Sequence, residues 1–189
     1  MENQEIKEMY KVLKDWNGSF DMDSIAATVY QKWYMQFLLS LFHSYSDNVD
    51  DRLSFTGNYH FKDSFQFMIE DILENKSKSR YQPICRGAFL SYNGDDHCGY
   101  NIAKALLETK HFLKTHVSEH QKDWKWGKIH SNEYPNLPWS KTALKPFFHG
   151  STPVGGNENT PKFTKTSIRK DWDKARIGSY ASGGLKMLV

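Results

Sequence analysis

Two cysteines, Cys85 and Cys98, are all the thiols that the chain has. Their spacing matches neither a Cys-x-x-Cys redox pair nor a zinc-ligand pattern, which excludes a cysteine-based metal or redox centre and leaves two options: one disulfide in an oxidising compartment, or two buried thiols. Long apolar runs are also missing. None approaches the roughly 20 residues of a membrane span, and the opening Met1-Glu2-Asn3-Gln4-Glu5-Ile6-Lys7 has no apolar signal-peptide core. We therefore expect no membrane span, and the start says nothing about export. An excess of one charge sign is lacking too. The 25 basic and 22 acidic residues leave a net +3, and no basic stripe is interleaved with aromatics, so no nucleic-acid partner is expected. Gly-x-Ser-x-Gly is absent, which removes the serine-hydrolase elbow. Gly150, Gly155 and Gly156 form neither Gly-x-Gly-x-x-Gly nor a phosphate-binding loop, so nothing points to a nucleotide.

Aromatic residues, by contrast, make up 15% of the 189 residues while hydrophobic content is 39%, so ring packing must supply much of the burial. No internal repeat and no linker divides the chain, and residues 1–189 read as a single unit. Ile6, Met9, Tyr10 and Leu13 recur at helical spacing over 5–15, and Trp16-Asn17-Gly18 ends that helix. Asp21-Met22-Asp23-Ser24 is a helix-start signal for residues 24–42. Ile25, Val29, Trp33, Phe37, Leu38 and Leu41 trace the expected buried stripe there, with Gln31, Lys32 and Gln36 facing outward. Residues 43–60 are polar and turn-rich. A short helix over 62–74 buries Phe65, Met68, Ile69 and Ile72, and 76–80 is a solvated loop. A further helix over 97–120 places Ile102, Leu106, Leu107, His111 and Leu113 opposite Lys104, Glu108 and Lys114. Residues 162–174 read as a charged loop and 175–189 as strands.

The segment 124–160 concentrates unusual chemistry. Trp124-Lys125-Trp126-Gly127-Lys128-Ile129-His130 reads as an extended segment half-buried through Trp124, Trp126 and Ile129, followed by a bend through Pro135 and Pro138. Then come Phe147-Phe148-His149-Gly150 and Pro153-Val154-Gly155-Gly156-Asn157-Glu158-Asn159-Thr160. The paired glycines permit positive φ or a close backbone approach. Taken alone, this is a hairpin with its loops.

Taken in order, these pieces resemble the penicillin amidase (penicillin acylase) family of N-terminal-nucleophile hydrolases. That family has a Trp-x-Trp-Gly-x-x-His run, a Phe-Asn-x-Gly segment and a Pro-x-Gly-Gly-x-x-x-Thr loop late in its β chain. Here His149 stands where Asn or an Asp-like residue is usual, and Pro161 follows Thr160 directly. The junction from Leu13 through Trp16-Asn17-Gly18 and Asp23-Ser24-Ile25-Ala26-Ala27 to Tyr30 and Trp33 resembles the same family, with Asn17 in place of the commoner Asp. The helix over 97–120 sits where the family has an amphipathic helix before its Trp-x-Trp-Gly run.

The resemblance implies an α+β fold, part of a four-layer αββα sandwich, with residues 1–189 forming the C-terminal portion of a β subunit. It implies hydrolysis of the linear amide bond of N-acyl compounds of the penicillin or acyl-homoserine lactone type. The nucleophile would be an N-terminal serine, cysteine or threonine exposed by self-cleavage, with its own amino group as base. Those residues, and most of the family's calcium ligands, lie upstream of the matched portion, and Met1-Glu2 cannot supply them. No catalytic, cofactor-binding or metal residue is therefore assigned in this chain, and no cofactor is expected in it. The implied partners are the remaining portion of the same precursor, namely the α chain and the N-terminal part of the β chain, and a small N-acyl amide substrate. The resemblance is compatible with a secreted, lysosome-like or periplasm-like compartment for the full-length parent.

Two other patterns compete. His116-Val117-Ser118-Glu119-His120 matches His-x-x-Glu-His, which on a continuous helix sets two imidazoles on one face for zinc; the plainer alternative is an exposed, frayed helix end. Trp124, Trp126, Trp139 and Trp172 could be stacking platforms of a non-catalytic binding module, for a carbohydrate for example, or core aromatics. Asn17-Gly18-Ser19 and Asn75-Lys76-Ser77 are N-glycosylation sequons, which matter on a secretory route.

Overall fold

The computed structural model describes residues 2–41, 59–88, 93–134, 138–139, 142–144, 147, 150–157, 160 and 177–179. They form a mixed, helix-rich α+β arrangement: α1 (Glu2–Lys14), α2 (Ile25–Leu41), α3 (Tyr59–Asn75), α4 (Gln82–Ala88) and α5 (His97–His116) precede a helical turn, α6 (Trp126–Ile129). Then come β1 (His130–Tyr134), β2 (Gly150–Pro153) and β3 (Ile177–Ser179). Strand β1 is central, antiparallel to β2 with Ser131 opposite Pro153, and parallel to β3 with His130 opposite Ile177. Among the described residues no helix is long and apolar enough to cross a membrane.

Helix α2 is the centre of the packing. Ser24, the last residue of the Asp21–Ser24 start signal, caps it, its Oγ accepting from the Ala27 amide at 3.1 Å, and the helix begins at Ile25 rather than at 24. The stripe Val29, Trp33, Phe37, Leu38 and Leu41 is buried as expected. Gln31 and Lys32, however, are buried as well, which corrects the expected outward face. Thr28, Lys32, Met35 and Leu39 share one stripe at helical spacing, and all are buried, so the helix is covered on more than one side. The Lys32 ammonium is tolerated there partly because it lies 4.8 Å from the centroid of the Phe112 ring. Trp33 stacks on Phe37 and donates from Nε1 to the Ile102 carbonyl at 3.2 Å, fixing α2 to α5.

Helix α1 buries Met9, with Ile6 and Leu13 packed against the core, whereas Tyr10 faces solvent. Its other hold on α5 is polar: Lys110 Nζ is 3.1 Å from Glu5 and 2.7 Å from Glu8. Helix α3 begins three residues before and ends one residue after the expected 62–74, and it buries Met68 and Ile72; the side chain of Phe65 lies outside the described residues. Residues 76–78 form a 3-10 turn rather than an open loop.

Cys85 and Cys98 are joined in a disulfide with Cα atoms 5.0 Å apart, both buried, which settles the two options left by the sequence. The bond clamps α4 to the start of α5. Around it, Gln82 Oε1 accepts from the Cys98 amide, Gln82 Nε2 donates to Asp96 Oδ1, and Asn101 Nδ2 donates to the Cys85 carbonyl at 2.8 Å. Asp96 caps α5 by accepting from the Gly99 amide at 2.9 Å.

Three further expectations are corrected. Helix α5 ends at His116 instead of continuing to 120, because Val117 and Ser118 both donate to the Leu113 carbonyl and turn the chain away. His111, placed among the buried positions, is exposed. The 124–129 run is not extended: a 3-10 turn (Gln121–Asp123) leads through Trp124 and Lys125 into α6, and Trp124, Trp126 and Ile129 are fully rather than half buried. The expectations for 43–58, His149, Pro161, 162–174 and Trp172, and for most of 175–189, fall outside the described residues.

Candidate functional site

Three stretches far apart in sequence meet at one junction: the loop after α1, the Trp-x-Trp-Gly-x-x-His run, and the Gly-Gly loop after β2. The loop is shaped locally. Gly18 adopts φ 79°, Asn17 Oδ1 accepts from the Ser19 amide at 2.9 Å, and Trp16 Nε1 donates to the Ser19 carbonyl at 2.9 Å. Trp16, Phe20 and Tyr30 then cluster with ring centroids 5.1–6.1 Å apart, and Phe20 meets Trp126 edge-on at 5.4 Å. Burial in this cluster pushes the Tyr30 hydroxyl pKa up, so it stays protonated at neutral pH.

Backbone bonds hold the three stretches together. The Trp126 amide donates to the Ser24 carbonyl at 3.0 Å, Gly127 to Met22 at 2.7 Å, and Gly156 to Phe20 at 2.8 Å. Glycine is needed at two of these crossings. A Cβ on Gly127 would come 2.9 Å from the Met22 side chain, and one on Gly155 would come 2.9 Å from the Phe20 carbonyl oxygen.

Side chains close the junction. Trp126 Nε1 donates to the Gly156 carbonyl at 3.1 Å. His130 is buried, stacked on Trp126 at 4.4 Å, and its Nδ1 lies 2.8 Å from the Val154 carbonyl, which can only accept; that nitrogen therefore carries a proton. Asn157 Nδ2 donates to Gln31 Oε1 at 2.9 Å, and the Asn157 amide donates to Thr160 Oγ1 at 2.8 Å. At the edge, Lys125 pairs with Asp23 at 2.8 Å, a hydrogen bond that raises the lysine pKa. Residues 17–23 with Gly155, Gly156 and Thr160 line an open cleft of about 650 Å³.

The chemistry of this junction is that of a clamp. The Gly127 and Gly156 amides, which could have polarised a substrate carbonyl, are spent on Met22 and Phe20. Ser24 caps α2, and Ser19 Oγ donates to Asp21 at 2.7 Å, so the recorded partner of Ser19 is a carboxylate and that of Ser24 a backbone amide.

The competing patterns do not assemble. His116 stacks on Phe112 at 4.4 Å in the last turn of α5, while His120 lies beyond the helix end, so the two imidazoles do not share a helical face. Among the described residues no three His, Cys, Asp or Glu side chains come together in a way that could hold a metal ion. Trp124 and Trp126 are 1% and 0% exposed, which rules them out as stacking platforms; Trp139 is exposed. Gln31 and Lys32 are the junction and core residues that pattern reading places outward. The signal for both was present, since Thr28, Met35 and Leu39 flank the Lys32 position at helical spacing.

The penicillin amidase family model matches residues 1–184. No curated protein and no solved structure matches the chain. The match covers nearly the whole sequence, so the chain belongs to a hydrolase family, the N-terminal-nucleophile amidases. It is a member of the penicillin amidase family, with the amidohydrolase-type function that this implies.

Proposed function

We propose that this chain is the late β-subunit portion of an amidohydrolase that cleaves the linear amide bond of small N-acyl compounds of the penicillin or acyl-homoserine lactone type, with its N-terminal nucleophile supplied by a segment outside the chain. The observation that carries this reading is the family match over residues 1–184. It is supported by the way the structure joins the motifs that resemble the late β chain into a clamp whose glycine amides and serine hydroxyls are already engaged. In this reading residues 1–189 are a single partial domain, the small β2-β1-β3 sheet is a piece of a four-layer αββα sandwich, and the remainder of the precursor completes it. The calcium that the family resemblance implies would be held, in this reading, by the upstream portion of the precursor.

The test is reconstitution. The chain co-produced with the upstream portion of its precursor should release chromophore from N-acyl amide substrates, and changing the upstream N-terminal nucleophile to Ala should abolish it. Equal hydrolysis by the chain alone would refute the division of labour.

A further inference from the structure

We propose that Asn17 is an N-linked glycosylation site of the folded protein. Asn17-Gly18-Ser19 is a sequon whose asparagine the structure leaves exposed, with the Ser19 hydroxyl donating to Asp21 at 2.7 Å. Asn17 is exposed in the loop after α1. Its Oδ1 accepts from the Ser19 amide at 2.9 Å, and among the described residues nothing accepts from Nδ2. Gly18 at φ 79° has nothing within 4 Å of its would-be Cβ, so the tip of the loop has room for a bulky substituent.

The compartment is indicated independently. Cys85 and Cys98 form a buried disulfide, and such bonds form and persist in oxidising compartments, the setting in which sequons are used. The second sequon differs. Asn75 closes the last turn of α3, its Nδ2 donates to Asp71 Oδ1 at 3.1 Å, and the next residue, Lys76, sits at φ 47°. The structure therefore favours Asn17 over Asn75.

The step transfers an oligosaccharide from a lipid-linked diphosphate donor. A bond forms between Asn17 Nδ2 and the sugar C1, the C1–O bond to the diphosphate breaks, the lipid diphosphate leaves with that electron pair, and one amide proton is lost. The Oδ1 acceptor and the remaining N–H are unchanged, so the turn at Ser19 survives modification. Asn17 lines the same open cleft as Gly155 and Gly156.

Peptide mass spectrometry of the protein isolated from its native cells tests this. After treatment with peptide-N-glycosidase in heavy-oxygen water, position 17 should read as a heavy-labelled aspartate. An unmodified Asn17, a label at Asn75 with none at Asn17, or an aspartate at position 17 that carries ordinary oxygen, the mark of spontaneous Asn-Gly deamidation, would overturn it. In the full precursor secreted from eukaryotic cells, Asn17→Asp keeps an oxygen for the Ser19 amide and Ser19→Ala keeps Asn17 itself. Each should remove one glycosidase-sensitive step in electrophoretic mobility; an unchanged mobility pattern in both would overturn the assignment.

Discussion

Asn157 donates from Nδ2 to Gln31 Oε1 at 2.9 Å across 126 residues of sequence, joining the Gly-Gly loop to the middle of the buried helix α2. Both side chains are buried. Gln31→Leu should therefore remove a hydrogen bond between two buried amides and cost about 1–3 kcal/mol of stability. The double variant with Asn157→Leu should cost less than the sum of the single ones. Denaturant unfolding of the four proteins measures this coupling, and strict additivity would show that the bond contributes nothing.

Gly155→Ala brings a Cβ to 2.9 Å from the Phe20 carbonyl oxygen, an atom of the backbone that cannot swing aside. We expect a loss of about 1–3 kcal/mol, of the size seen when a packed site is overfilled, and faster hydrogen exchange at the Gly156 amide, which donates to that same carbonyl. Wild-type exchange at Gly156 in the variant would mean that the loop is not clamped on residues 17–23.

The disulfide closes a loop with a sequence separation of 13. Removing it by a paired Cys85→Ala and Cys98→Ala change should lower stability by about 2–3 kcal/mol in the chain-entropy picture. Thiol titration of the denatured, natively isolated protein should find free thiols only after reduction. Equal titration before and after would count against the bond.

Acid should loosen the α1–α5 contact. The Lys110 hydrogen bonds hold the Glu5 and Glu8 carboxyls below the ordinary 4.5. Their folded pKa values are depressed, so their contribution is present above 4.5 and is lost as pH falls through the lower folded values. For Lys110, burial acts to lower the pKa, but the bonds and charges of Glu8 and Glu5 outweigh it and leave the pKa raised above 10.5, so its share is kept below that pH and lost above it. Lys110→Met should flatten the acid limb of a stability-against-pH curve. An unchanged acid limb would show that the pairs are merely surface contacts.

Much of this was readable in the chain, and the failures have physical causes. A helix start within Asp21–Ser24 and the Trp33-Phe37-Leu41 stripe follow from local chemistry and helical spacing. Gln31 and Lys32 were placed outward because polarity is the usual sign of exposure. It is overridden here by partners distant in sequence, Asn157 and Phe112. Aromatics favour strands, so the Trp124 to Ile129 run reads as extended, yet a four-residue helical turn lets Trp126 reach the Gly156 carbonyl and lets the Gly127 amide reach Met22. That the Gly-Gly loop meets residues 17–23 could not be read from spacing, because it depends on the folded path of more than a hundred intervening residues.

Covalent trapping locates the nucleophile that the proposed amidase places elsewhere in the precursor. The reconstituted, active protein is inactivated with a serine- and threonine-reactive sulfonyl fluoride, or a thiol-reactive acylating agent where the nucleophile is cysteine, and the adduct is located by peptide mass spectrometry. One stoichiometric adduct is expected on the N-terminal residue of the processed β chain and none on residues 1–184. An adduct within residues 1–184 that tracks loss of activity would contradict it.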